Sequence, residues 1–238
     1  FFYAGGTIGM RPGKDNCLTA PCDDREFQAV VLPMIKQWQA ENDIVVDYEF
    51  YTSKDSTNMN PDDWQALIYR VANAQHAGYD AVAFAHGTDT LAYTAAAIGF
   101  GMHGKTSRKS ALEIPVVFTG SQNPVSAFGG DGSFNLQNLF RTAKAAIANG
   151  VADVLINFGY EVLLGCRAIK MSERAFDAFK APSELGKVGY IDALGVHLLL
   201  HRLRRRSDGV AAEIEPKFSS GVLVIDLGPG TEPEMLEG

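Results

Sequence analysis

Short apolar runs that break off in glycine beside serine, threonine or aspartate recur along this chain, with helix-like stretches between them. The clearest run covers residues 81–85 and ends in His86-Gly87-Thr88-Asp89-Thr90. A run this short and this apolar reads as a strand buried on both faces, the kind found in parallel sheets covered by helices. The same design shows at residues 1–4 before Gly5-Gly6-Thr7, at 44–51 before Asp55-Ser56-Thr57, and at 114–118 before Thr119-Gly120-Ser121-Gln122. A further strand is expected at 153–158, and a strand or hairpin at 162–171 carrying Arg167 and Lys170.

Helical spacing fills the gaps at 24–39, 61–76, 91–102 and 134–148, with Pro33 expected to kink the first helix. Asn60 is placed as an N-cap, with Pro61 at the first helical position and Asp62 and Asp63 at the positive helix end. This alternation predicts an α/β fold with a doubly wound, mostly parallel sheet, whose ligands sit beyond the strand C-terminal ends. All the hydroxyl-rich tips fall at such ends. Residues 11–24 are polar and read as a lid or a disordered loop. The pattern loosens after Pro182 and reads as tail and linker, until 221–227 (GVLVIDL) opens another apolar strand. The chain starts partway along a strand and stops soon after starting another, so segments are expected beyond both ends.

Several functions are disfavoured at this level. A net charge of -7 gives a polyanion no overall attraction, so no nucleic-acid partner is expected. No apolar run is long enough to span a membrane. The cysteines, Cys17, Cys22 and Cys166, are too few for a disulfide framework and fit a reducing compartment. Residues 99–104 spell GxGxxG but close a helix instead of following a strand, so they read as a cap and loop. His197 and His201, four apart, lack a third ligand for a metal site. Residues 202–206, rich in arginine, read as a solvated face or a subunit contact. His86 reads equally as a site residue or a hydrogen-bonded wall.

The tips carry the chemistry. A threonine hydroxyl is a weak nucleophile until a neighbour takes its proton. Lys170, held neutral or sharing a proton through burial and Asp89, fits that role, with Thr7 or Thr88 as nucleophile and Asp89 as orienter. Backbone N–H groups at glycine-rich tips suit an oxyanion. Against this stands the plain reading, in which each serine or threonine caps the helix that follows.

The order and spelling of the tips add more. AGGTIGM, DSTNM, HGTDT, TGSQNP, GDGSFNL and CRAIK occur in sequence, and together they resemble the bacterial-type L-asparaginase family, closest to its cytoplasmic type I branch. The resemblance implies an N-terminal catalytic α/β domain over 1–195, a linker over 196–220, and the start of a smaller C-terminal α/β domain over 221–238. It implies hydrolysis of L-asparagine to L-aspartate and ammonia, with no metal or cofactor. Carried over by position, Thr7 is the nucleophile and Thr88, Asp89 and Lys170 form a second triad. Ser56, Thr57, Gly87 and Ser121 would bind the substrate. A homodimer or homotetramer in the cytoplasm is implied, with sites between subunits. The loop after GGTIGM lacks the tyrosine that family members usually carry, and Cys17 falls near its place. Two other readings share the resemblance: an amidase subunit of a glutamyl-tRNA amidotransferase, and a non-catalytic amino-acid-binding relative.

Overall fold

A computed structural model describes residues 1–13, 17–21, 23–105, 109–206, 213–219, 221–222, 224–225, 228–230 and 232. Eight strands form one sheet: β1 (Phe2–Ala4), β2 (Glu49–Thr52), β3 (Val82–His86), β4 (Val116–Thr119), β5 (Val154–Phe158), β6 (Glu161–Leu164), β7 (Lys187–Asp192) and β8 (Gly195–Leu198). Their spatial order is β8-β7-β6-β5-β4-β3-β1-β2. The strands from β2 across to β5 are parallel, and β6, β7 and β8 extend that sheet as an antiparallel meander.

Four helices cover it: α1 (Asp24–Asn42), α2 (Pro61–His76), α3 (Leu91–Gly101) and α4 (Gly132–Ala148). Two apolar clusters result. Val82, Phe84 and Phe118 face Leu67, Ile68 and Ile98 of α2 and α3, while Ala83, Ala85 and Val117 face Phe27, Ile35 and Leu139 of α1 and α4. Alternate strand residues thus feed opposite cores, and β3, β4 and β5 need apolar residues throughout. The expected doubly wound architecture is present.

Local chemistry explains the helix bounds. Asn60 accepts from the backbone of Asp62 and Asp63, and the Asp63 side chain reaches back to the Asn60 N–H, which completes a capping box. Asp23 caps α1 by accepting from Glu26, and α1 runs on past Pro33 to Asn42.

Other expectations are corrected. Of the 44–51 run only 49–51 joins the sheet, in a strand that goes on to Thr52, because β1 is short and lies beside Glu49, Phe50 and Thr52 alone. Ile44, Val46 and Tyr48 still pack on the α1/α4 core, so their alternation records burial without pairing. Residues 162–171 split into β6 and a short ribbon, Ile169–Lys170 paired with Phe179–Lys180. The stretch after Pro182 contains the β7–β8 hairpin of the main sheet, including residues placed in the linker. Gly101 is the last residue of α3 and not a loop glycine, and a Cβ there would strike Ile68 of α2. His197 lies on β8 and pairs with Asp192, while His201 lies in the short turn that follows. The guanidinium groups of Arg202, Arg204 and Arg205 donate to carbonyls of Lys187, Leu112 and Asn149, so they brace the fold.

In the 11–24 loop, Arg11–Pro12 pairs with Leu18–Thr19, while 14–16 and Cys22 lie outside the described residues. Residues 106–108 also lie outside them. Residues 213–219 return along α2 and α3, where the Phe218 ring meets Trp64 edge-on at 5.5 Å. Of the strand expected at 221–227, Leu223, Asp226 and Leu227 lie outside the described residues, and Val222 and Val224 are exposed without strand pairing among the described ones. No helix among the described residues is long and apolar enough to cross a membrane.

Candidate active site

Strand register sets the tips level. Ala4 stands opposite His86 on one side and Thr52 on the other, and Ala85 stands opposite Thr119. The chain leaves β1 through Gly5 and Gly6, with φ of 88° and 93°, a region that glycine alone enters freely. It then makes a short turn at Thr7–Gly9. A Cβ on Gly6 would lie 2.6 Å from Gly87 Cα, and one on Gly87 would lie 2.6 Å from Ser56 Oγ. A Cβ on Gly120 would lie 2.6 Å from the His86 carbonyl oxygen. The missing side chains therefore let four tips close on one another, and they carry Thr7, Ser56, Thr88 and Ser121 to one crossing. The Tyr3 hydroxyl supports it from below by donating to Gly6 O at 3.1 Å.

Within the crossing, Ser56 is buried and its carbonyl accepts from Thr90 Oγ1 at 2.7 Å, which ties the β2 and β3 tips. Thr57 is exposed, and both its N–H and its hydroxyl donate to Asp55 at 2.9 Å. Thr7 and Thr88 are half-buried. Ser121 is buried, and its hydroxyl donates its proton to Asn123 O at 2.6 Å and keeps only acceptor capacity.

Lys170 reaches the crossing from the Ile169–Lys170 ribbon, and its Nζ donates to Asp89 Oδ1 at 2.5 Å. It also donates to the Glu173 carboxylate. Burial opposes its charge, but the bonds and charges of Asp89 and Glu173 outweigh that and hold the lysine above its ordinary value. The resting group is an ammonium that shares its proton with Asp89, so of the two expected states the neutral one is set aside. A base role requires that proton to leave first.

Sequence reasoning missed the groups behind these. Glu173 stands three residues past Lys170, and the two side chains meet. Asp131 and Asn135, inside GDGSFNL, hold the β4 tip. Asp131 accepts from the N–H groups of Gln122 at 2.9 Å and Asn123 at 2.8 Å. Asn135 donates to Gly120 O at 2.9 Å and accepts from Gly159 N–H at 3.0 Å. Both are buried at the start of α4, where polar groups need partners, and the sequence alone does not show that burial. His86, left open between two readings, is buried with Nδ1 2.8 Å from Gly87 O. Among the described residues, no group of three or more His, Cys, Asp or Glu is placed to hold a metal.

The arrangement offers two half-buried hydroxyls, an anchored carboxylate–ammonium pair and glycine-bracketed backbone N–H groups at one sheet edge. That set suits acyl transfer at an amide.

A family model for the N-terminal part of asparaginases matches residues 1–204. A glutamyl-tRNA(Gln) amidotransferase subunit of Aeropyrum pernix is 30% identical over 240 residues, 98% of this chain and 53% of that protein. L-asparaginase 1 of Escherichia coli K12 is 31% identical over 181 residues, 76% of this chain and 49% of that protein. The crystal structure of L-asparaginase I from Vibrio cholerae superposes with a TM-score of 0.80 at 26% identity, over 99% of this chain and 65% of that one. The chain spans about half the length of the curated relatives it matches.

Proposed function

Because the chain belongs to the asparaginase family, we propose that the intact protein hydrolyses L-asparagine to L-aspartate and ammonia. The observation that carries this reading is the Lys170–Asp89 pair at 2.5 Å, set where the glycine tips bring Thr7, Thr88 and Ser56 together. In this proposal the Thr7 hydroxyl attacks the side-chain amide carbon, the C–N bond breaks, and ammonia leaves with the proton Thr7 gave up. Water, activated at Thr88 with Asp89 and Lys170, then releases aspartate from the Thr7 ester. Ser56, Thr57 and Gly87, with the backbone of Ser121, line the substrate's backbone end, where Asp89 faces its α-ammonium. The same proposal includes a homodimer or homotetramer, a cytoplasmic location, and a second domain beginning near residue 221 that completes the site.

A second reading rests on coverage. Two relatives named as amidotransferase subunits align over 98% of this chain, against 76% for the E. coli asparaginase. Ammonia release from L-asparagine and L-glutamine, measured side by side, separates the two. We expect turnover with asparagine by the protein alone. Release from glutamine only, dependent on a partner subunit and glutamyl-tRNA, would favour the second reading. Stoichiometric binding of asparagine without ammonia would indicate a non-catalytic relative.

A further inference from the structure

His86 closes β3 one residue before the glycine on which the crossing turns. Gly87 is glycine because Ser56 leaves no room for a Cβ. That requirement puts a residue without a Cβ, the least restricted by its own chemistry, directly before Thr88 and Asp89. The His86 ring answers it. A carbonyl only accepts, so Nδ1 carries the proton and donates to Gly87 O at 2.8 Å. The other ring nitrogen, Nε2, is then a bare acceptor, buried and without a partner among the described residues. An apolar residue would leave no such orphaned acceptor in this core, so what the histidine adds here is its Nδ1–H. The side chain shares the sheet face of Val82 and Phe84, and the Phe118 ring meets it edge-on at 6.2 Å. No peptide among the described residues is cis. In a trans peptide the C=O and N–H point opposite ways, so a Gly87 carbonyl drawn towards the ring turns the Thr88 N–H away from it.

We infer that His86 is a positioning residue, a latch on the Gly87–Thr88 peptide that fixes Thr88 and its N–H for the developing oxyanion. The inference rests on the amidohydrolase reading above, and its test separates the two. Burial also holds the ring neutral, with its pKa lowered to about 4, so the latch persists at neutral pH.

The test compares wild type with His86→Asn, His86→Gln and His86→Leu in the intact protein. The Asn Nδ2 occupies the place of Nδ1 and can donate to Gly87, whereas the Gln amide replaces Nε2. We expect His86→Asn to keep kcat within several-fold. His86→Gln and His86→Leu should lose about a hundredfold in kcat, the order seen for a lost oxyanion donor, with KM little changed. Wild-type kcat in folded His86→Leu, or equal losses in the Asn and Gln variants, overturns the latch. Should the variants fail to fold, the imidazole nitrogen NMR of wild type decides: an Nδ1–H tautomer supports the latch and an Nε2–H tautomer overturns it. An inactive wild type with an Nδ1–H ring shows that the functional reading failed and the latch did not.

Discussion

His86 shows how one residue links burial, stability and the site. Its unfolded pKa is 6.5, and burial lowers the folded value to about 4 against the opposing pull of Gly87 O and Asp63. On acidification the unfolded chain therefore takes up this proton first. The stabilisation is complete above pH 6.5 and is lost as pH falls towards 4. A shift of that size corresponds to about 3 kcal/mol. Urea unfolding across pH 7 to 4 is expected to show that loss in wild type and a smaller one in His86→Leu. An identical pH dependence in both would contradict the buried, neutral ring. Lys170 behaves in the opposite sense, since its folded pKa is raised and its contribution fades only as pH climbs through that value. At the same scale, the pairing of Lys170 with Asp89 joins residues 81 apart in sequence. Nothing in the local pattern at 167–171 points to Asp89; the pairing was read from the base and orienter that a threonine nucleophile needs, and the resemblance then repeated it. Glu173 was three residues away and still unread, because the ribbon that aims it is set by pairing with Phe179–Lys180.

At the scale of elements, the tips are fixed by what lies behind them. The β4 tip hangs on Asn135 and Asp131 at the start of α4, and Asn135 also receives the Gly159 N–H of the β5–β6 turn. Asn135→Leu keeps the branching and heavy-atom count of the side chain and strands both Gly120 O and the Gly159 N–H. Each orphaned group costs about 1–3 kcal/mol, so the urea midpoint should fall by an amount equivalent to about 2–6 kcal/mol. An unchanged midpoint would show that the β4 tip does not depend on this side chain. The strands that were legible, β3, β4 and β5, carry apolar residues on both faces. The hairpin β7–β8 was not. It lies at the open edge of the sheet, its residues are only partly buried in β8, and glycines at 189 and 195 interrupt the pattern. Its alternation is too weak to separate from a loop. The paired length of β2 was unreadable for another reason: strand ends are set by the neighbour, here the short β1.

For the whole molecule, the parallel strands follow the spatial order second, first, third, fourth, fifth in the chain. The order reverses between β1 and β3, and the crevice beyond such a reversal is where α/β sheets bind ligands. Gly6-Thr7 and Gly87-Thr88-Asp89 are the two lips of that crevice, so topology and residue chemistry agree on one place. The tips announced themselves in sequence because a glycine at close approach and a hydroxyl at a strand end are both local features. Their convergence did not, since it depends on register and strand order. Attack by Thr7 on an amide at this crevice is tested by steady-state ammonia release from L-asparagine by the intact protein and its Thr7→Val variant. We predict turnover in wild type and a loss of at least about a hundredfold in kcat in the variant, with an unchanged thermal midpoint. Equal turnover in the two proteins, or no ammonia from wild type, would contradict it.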